Sequence, residues 1–464
     1  VLQLYDTLQR RLLEFKPLVP SAVCMYTCGP TVYNFPHIGN YRTFIFEDVL
    51  RRYLQYLGYR VVQVMNLTDV DDKTIRASQE KGVTLDEITA PFIRSFFSEI
   101  DLLGIQRAEH YPRATQHVEE MIKIISSLLE KGIAYTAADG IYFSISKFPD
   151  YGKLSGVSLR NNIVGARVAV DEYDKEESRD FALWKFARPN EPCWEAPFGK
   201  GRPGWHIECT AMSIKYLGET FDIHTGGVDN IFPHHENEIA QSESYTGKRF
   251  VNYWLHSEHL LVEGRKMAKS EGNFFVLGDL LAKGYKPLEI RYLLVGTPYR
   301  RQLNFTFDGL LGARAALERL ENFQRRLREI KLDQNGSSAY QEIVIRSESA
   351  FREAMDDDLN TARAIGVLWD FVREVNAALD RALPLGNENR RSLFDFLGDV
   401  HAVLGIIPEH QEVSLEEWVE KLMAEREEAR RNRDFTHADE IRKELAGKGI
   451  ILEDTKDGVR WKKV

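Results

Sequence analysis

The sequence predicts an α/β protein: a parallel-sheet domain of the nucleotide-binding kind interrupted by an insertion, then a helical bundle and a small mixed α/β unit. Three observations predict it. An apolar run, Val23-Cys24-Met25-Tyr26-Thr27, is followed by a loop, a helical periodicity and a second apolar run, the order of a right-handed parallel crossover. A later run, Phe221-Asp222-Ile223-His224-Thr225, again leads into a helical stretch. Beyond residue 309 the pattern becomes long amphipathic helices.

Each element follows from its residues. The first strand ends at Cys28-Gly29-Pro30, and ligands of such a sheet sit beyond the carboxyl ends of its strands, so a site is expected near Cys28 and Thr68. Phe46, Val49, Leu50, Tyr53, Leu54 and Leu57 share one helical face, and Gly58 supplies a left-handed stop. Residues 60–67 read as the next strand. From 110 to 203 the character changes to a helix, short β-like pieces (140–146 and 166–171) and loops rich in Gly, Pro and charge, which is read as the insertion. Gly226-Gly227 is expected to form a tight turn, with Pro233 opening a helix over residues 234–244. Gln334-Asn335-Gly336-Ser337-Ser338 and Ile407-Pro408 break the helical region. Ser414-Leu415-Glu416-Glu417 offers a capping box, and residues 450–461 read as two short strands around Asp457-Gly458. The expected divisions are 1–109, 110–203, 204–246, 247–309, 310–406 and 407–464.

With 464 residues, 43% hydrophobic and 28% charged, the chain exceeds one core and is not of disordered composition. No apolar run reaches the ~20 residues of a membrane helix, and Val1-Leu2-Gln3-Leu4-Tyr5-Asp6 is unlike a secretory signal, so a cytoplasmic address without membrane contact is expected. Four cysteines are too few for a disulfide scaffold, which points to metal or nucleophile roles. The net charge of −9 argues against indiscriminate nucleic-acid coating, yet residues 425–464 carry eleven basic against ten acidic side chains.

Three constellations carry chemistry. Pro36-His37-Ile38-Gly39-Asn40 lies where a strand loop enters a helix, so backbone N–H groups face a phosphate, Gly39 permits close approach, and His37 and Asn40 can donate to phosphate oxygens. Lys266-Met267-Ala268-Lys269-Ser270, followed by Glu271-Gly272-Asn273, sets two ammonium groups on a short loop with an apolar anchor between them. His234 and Glu238 are four apart on one helical face, with His235 and Glu238 as a rival pair; Cys28 lies at the mouth of the first strand, and Cys209 closes the segment Gly204-Trp205-His206-Ile207-Glu208-Cys209. Two thiolates, an imidazole and a carboxylate suit Zn²⁺. Around them Thr68, Trp205, His206, His224 and Asp229 fall in loops at strand ends and are expected to surround a substrate. His256 and His259 have no role that spacing assigns.

The His-x-Gly-Asn helix start together with the Lys-Met-x-Lys-Ser loop resembles the two signatures of the class I aminoacyl-tRNA synthetases, in which both motifs cradle ATP. Tyr26-Thr27-Cys28-Gly29-Pro30, Asn66-Leu67-Thr68-Asp69-Val70-Asp71-Asp72-Lys73, Lys153-Leu154-Ser155-Gly156, residues 204–212, residues 232–241 and Met355-Asp356-Asp357-Asp358 narrow the resemblance to the bacterial-type cysteinyl-tRNA synthetase family. That resemblance implies a Rossmann-like catalytic domain and an anticodon-binding domain, one Zn²⁺ held by Cys28, Cys209, His234 and Glu238, and ATP with Mg²⁺ at His37, Gly39, Asn40, Lys266 and Lys269. His37, Asn40, Lys266 and Lys269 would be catalytic. Gly29, Thr68, Trp205, His206, His224 and Asp229 would bind L-cysteine. Asn40 replaces the second histidine of the usual His-Ile-Gly-His and Ala268 replaces a serine, which takes one hydroxyl from the loop while both lysines remain.

The tail implies the acceptor. Its likeness to the bundle and anticodon-binding domains of tRNA enzymes implies tRNA(Cys) as partner, with Trp461 stacking on a base and Arg430, Arg431, Arg433 and Arg460 contacting the RNA. The implied activity is cysteine–tRNA ligation by a monomer in protein biosynthesis. Two rival readings share parts of the pattern: a cysteine ligase acting on a small amino-sugar, which lacks the tail, and a catalytically silent tRNA-binding paralogue.

Overall fold

The computed structural model describes residues 1–157, 180–189, 191–408, 417–432, 434–455 and 458–463, with the side chains at 269, 417, 418, 420, 453–455, 458, 460 and 463 outside the description. The chain forms two compact units, Val1–Pro408 and Glu409–Val464.

At the centre of the first unit is a four-stranded parallel sheet in the order Val251–Ser257, Phe221–Gly227, Ala22–Thr27, Arg60–Met65. Met25 pairs with Ile223 on one side and Gln63 on the other, so the carboxyl ends of the middle strands finish level beside Cys28. The connecting helix, Ile38–Tyr56, buries Phe46, Val49, Leu50, Tyr53 and Leu54, and Gly58 adopts φ +92° after its end. The edge strand stops at Met65, two residues before the expected end, because Leu67 pairs with Arg113 instead and Val64 with His110.

Two expected features differ. Gly226 and Gly227 do not turn: the strand runs through both, pairing with His256 and Ser257, and Gly227 keeps φ −77°. Pro233 does not open a regular helix either. It lies within a wider turn, Ile231–His235, where Phe232 is extended (φ −136°, ψ 131°), and the α-helix begins at Glu236 and runs to Thr246.

The insertion carries an antiparallel sheet ordered Ala134–Ala137, Gly140–Phe143, Phe181–Phe186, Gly201–Pro203. The β-like piece expected at 166–171 lies outside the described residues. Leu260–Val262, Arg265–Lys266 and Leu303–Phe305 make a small sheet that bears the Lys-Met loop. The helices Phe307–Glu329, Ser338–Asp356, Thr361–Asp380 and Asn387–Leu404 form the bundle. Its core is continuous with that of the sheet domain. A fully buried Arg291 joins them, pairing with Asp48 at 2.5 Å and donating to the Leu103 and Leu404 carbonyls.

The second unit has its own small core of Val419, Ile441, Leu445, Ile450 and Leu452. Helices Glu417–Arg431 and Phe435–Gly447 precede an antiparallel hairpin, Ile450–Thr455 with Gly458–Lys463. The capping box expected at residues 414–417 falls outside what is described.

Candidate active site and metal centre

The loop after the first parallel strand bends at Gly29, whose N–H donates to Asn66 Oδ1 at 2.9 Å. A β-carbon there would stand 1.8 Å from the Asn66 carbonyl oxygen, so only glycine fits. At the start of the Ile38–Tyr56 helix, the Asn40 N–H donates to His37 Nδ1 at 3.2 Å and the His37 N–H donates to Asn40 Oδ1 at 3.0 Å. This reciprocal capping box fixes both side chains before any ligand arrives. Asn40 thus caps its own helix through its side chain. Gly39 lies under the His37 ring, where a β-carbon would be 2.9 Å from Cε1. His37 and Asn40 line a cleft of about 540 Å³ that also meets Lys73, Arg202, Trp205 and Phe274.

The Lys-Met loop abuts this helix start. Met267 packs on the sheet-domain core, 3.4 Å from where a Gly39 β-carbon would stand, so the apolar anchor faces inward as its position between two lysines suggests. The Ile38 N–H donates to the Phe275 carbonyl at 3.0 Å, and the Phe274 ring stands edge-on to His37 at 5.3 Å. Asn273 braces the loop: its Oδ1 accepts from the Ala268 N–H at 2.8 Å and its Nδ2 donates to the Lys266 carbonyl at 3.1 Å. With alanine at 268, a backbone hydrogen bond to Asn273 secures that position. Lys266 is exposed; the Lys269 side chain lies outside the described residues.

Across the carboxyl ends of the parallel strands, two overlapping donor sets converge among the described residues: Cys28, Cys209, His234 and Glu238, and Cys28, His224, His235 and Glu238. In each, the ligand atoms all lie within 4.8 Å of one another. Glu238 is the hub. Its Oε2 is 3.0 Å from His224 Nε2, and its Oε1 is 3.1 Å from His234 Nε2 yet has no hydrogen-bond partner. His234 Nδ1 meets His206 Nδ1 at 2.9 Å. With the shared proton on His234, its Nε2 turns a lone pair toward the carboxylate, and two acceptors face one another at a distance that a cation relieves. In the second set His235 is engaged on both nitrogens: its Nε2 lies 3.2 Å from Cys28 Sγ and its Nδ1 2.8 Å from His256 Nε2, and His256 Nδ1 lies 2.8 Å from Thr7 Oγ1.

Without a cation the cluster is pushed toward neutrality. The hydrogen bond with Cys209, then burial, drives the Cys28 thiol well up. Burial raises Glu238 far above the carboxylate range, holds His206 and His224 to about 3, and drives His234 and His235 well below the usual imidazole value. A divalent cation reverses this logic by favouring thiolate, carboxylate and neutral imidazole together. These residues fit Zn²⁺ by donor type.

The remaining expected substrate contacts occupy different depths. Trp205 is 42% exposed, lines the cleft and stacks on His234 at 4.3 Å. Thr68 is buried and donates to Glu208 Oε2 at 3.0 Å. His224 is fully buried between Glu238 and the Trp254 ring, on which it stacks at 4.7 Å. Asp229 is exposed in the short turn Val228–Asn230. Sequence reasoning missed three buried groups: Glu208 and Glu47, each with one unpartnered oxygen, and His256. Glu208 lies next to Cys209 within residues 204–212, the one sequence signal that points to it. In the second unit, Arg430 and Arg431 are exposed and Trp461 is half-buried against the small core, opposite Leu452; the Arg433 and Arg460 side chains lie outside the described residues.

Comparison with known proteins gives this geometry a family. Residues 14–315 match the family described as tRNA synthetases class I (C) catalytic domain, 350–408 the DALR domain, and 413–461 the cysteinyl-tRNA ligase anticodon binding domain. The fold is shared with Mycobacterium tuberculosis methionyl-tRNA synthetase in complex with methionyl-adenylate (TM-score 0.61, 13% identity, covering 82% of this chain and 90% of that one). It is also shared with the Agrobacterium radiobacter K84 agnB2 LeuRS ternary complex with tRNA and LeuAMS (TM-score 0.62, 11% identity, 85% of each chain). The fold and the catalytic-domain match define a class I aminoacyl-tRNA synthetase. Over its whole length the chain is 47% identical to the cysteine--tRNA ligase of Solibacter usitatus, covering 99% of that protein. It is 46% identical to that of Protochlamydia amoebophila, covering 98%. The chain belongs to the cysteinyl-tRNA ligase family.

Proposed function

We propose that this chain activates L-cysteine with ATP to cysteinyl-adenylate and pyrophosphate, then transfers cysteine to the 3′-terminal ribose of tRNA(Cys). The observation that carries the substrate is the placement of Cys28, Cys209, His234 and Glu238 beside the cleft that His37 and Asn40 line, with Trp205 touching both. Zn²⁺ held by those four groups would supply a soft site that distinguishes a thiol from the near-isosteric hydroxyl of serine, a choice that an apolar pocket makes only about 10–200-fold. His234 is preferred to His235 because its Nε2 faces the unpartnered Glu238 oxygen, whereas His235 is engaged on both nitrogens.

For ATP, the capped His37–Asn40 turn presents helix N-terminal N–H groups to the phosphates, and Lys266 and Lys269 offset the charge that develops on the transferring phosphate. Mg²⁺ accompanies the nucleotide. Thr68, His206, His224, Gly29 and Asp229 shape the cysteine side of the cleft. The tail, with Arg430, Arg431, Arg433, Arg460 and Trp461, contacts tRNA. Among the described residues no helix is long and apolar enough to cross a membrane, and the chain acts as a cytoplasmic monomer. The small amino-sugar ligase has no counterpart to the tail, and a silent paralogue would not keep the full donor set.

Cysteine-dependent ATP–pyrophosphate exchange, run against serine and with zinc chelated, tests the reading. Exchange with cysteine that disappears on chelation is expected. Equal exchange with serine would remove the zinc-based selection.

A further inference from the structure

The helix Glu236–Thr246 brings Glu238 to the metal centre, and at 3.6 residues per turn Glu236 and Glu243 lie on the face opposite Glu238. That opposite face is gripped by a loop of the insertion. Glu236 is fully buried and its carboxylate accepts three backbone N–H bonds: from Gly152 at 2.8 Å, Leu154 at 3.1 Å and Ser155 at 2.8 Å. Gly152 makes the grip possible, since φ +94° and a Val157 carbonyl oxygen 2.0 Å from its would-be β-carbon exclude any side chain. On either side, Tyr151 donates to Asn237 and Lys153 pairs with Glu243. One stretch, residues 151–155, therefore holds residues 236, 237 and 243 of the metal-bearing helix. The Lys153-Leu154-Ser155 segment, conspicuous in the sequence, is otherwise without a part in the chemistry.

We propose that Glu236, clasped by the Tyr151–Ser155 loop, is a positioning residue for the metal centre, holding the turn from His234 to Glu238 so that both donors reach one Zn²⁺. This rests on the ligand set proposed above. Backbone donors around a carboxylate form a strong, charge-assisted nest, and it is made within the chain rather than to a ligand. His234 lies in the wide turn Ile231–His235 and Glu238 in the regular helix that follows, so the two donors belong to differently wound segments, and the clasp at Glu236 grips their junction.

The test uses the full-length protein loaded with Zn²⁺ and, separately, with Co²⁺. Glu236→Gln puts an amide NH₂ against N–H donors; Tyr151→Phe removes one outer contact with little risk to folding. Lys131→Ala is the control, because Lys131 binds the Ser244 and Tyr245 carbonyls at the far end of the same helix. Expected are Zn²⁺ release to a chelator roughly tenfold faster or more in Glu236→Gln, an altered visible spectrum of its Co²⁺ form, a smaller change of the same kind in Tyr151→Phe, and none in Lys131→Ala. If Glu236→Gln does not fold, Tyr151→Phe decides. Wild-type release and spectra in the folded clasp variants overturn the clasp while leaving the ligand set standing. A wild-type protein that retains no Zn²⁺ overturns both.

Discussion

Glu47 sits fully buried on the Ile38–Tyr56 helix, with one oxygen accepting from Thr225 Oγ1 at 2.7 Å and the other unpartnered. Burial, only partly offset by Thr225, pushes it up to about 8. A carboxyl raised above its unfolded value near 4.5 binds its proton more tightly in the folded state, so stability falls as pH rises from the unfolded value toward 8 and then levels. Glu47→Gln keeps the acceptor for Thr225 without the ionisation. Its unfolding free energy should match wild type at pH 4 and exceed it increasingly up to pH 8, the gap reaching on the order of a few kcal/mol in denaturant titrations. A gap that does not vary with pH would show that Glu47 is not the titrating group. At the metal centre, Cys209→Ser replaces a thiolate donor with a neutral alcohol. Zinc retention and cysteine binding should both weaken, by at least the ~10–100-fold that loss of an outer partner costs; metal analysis paired with cysteine titration reads both.

The Lys-Met loop behaves as an element because Asn273 ties its two ends and Met267 anchors its middle. Asn273→Ala removes two hydrogen bonds of about 0.5–1.5 kcal/mol each. Adenylate formation should slow roughly tenfold, with zinc content untouched. Lys269→Ala should cost more, ~10²-fold or above, since it deletes charge stabilisation rather than loop order. Single-turnover activation separates the two. If Asn273→Ala activates as fast as wild type, the loop does not depend on that brace; if Lys269→Ala stays within about threefold of wild type, while one lost donor typically costs ~10²-fold, the lysine is not catalytic.

For the whole molecule, the division at Pro408 separates chemistry from the proposed RNA contacts. Residues up to 408 hold the parallel sheet, the cleft and every proposed metal donor, and the tail keeps its own core. A protein ending at Pro408 should retain cysteine-dependent pyrophosphate exchange while charging tRNA poorly at low tRNA concentration. The tRNA affinity of the shortened protein should fall with salt less steeply than that of the intact protein, so the deficit narrows as salt rises, because fewer phosphate contacts remain to release counterions. Circular dichroism must show that the shortened chain folds. Undiminished charging by that folded protein would deny the tail its part in tRNA binding.

Much of this was written locally. The strand-loop-helix-strand order at residues 22–65 follows from periodicity, and the metal donors stand out by residue type and by the four-residue spacing of His234 and Glu238. Local pattern failed where distant segments set the outcome. Pro233 looked like a first helical residue, but the extended Phe232 and the wide turn around it move the helix start to Glu236. The choice between His234 and His235 could not be made from spacing, since both reach Glu238; it turns on His206 and His256, which lie 28 and 21 residues away and engage them differently. Glu47 carries no signal in the chain and Glu208 only its place next to Cys209; the tertiary structure buries them, with one oxygen of each accepting from Thr225 or Thr68 and the other unpartnered. Periodicity reports which face of an element is apolar, whereas burial and pairing of a polar group depend on what another element places against that face.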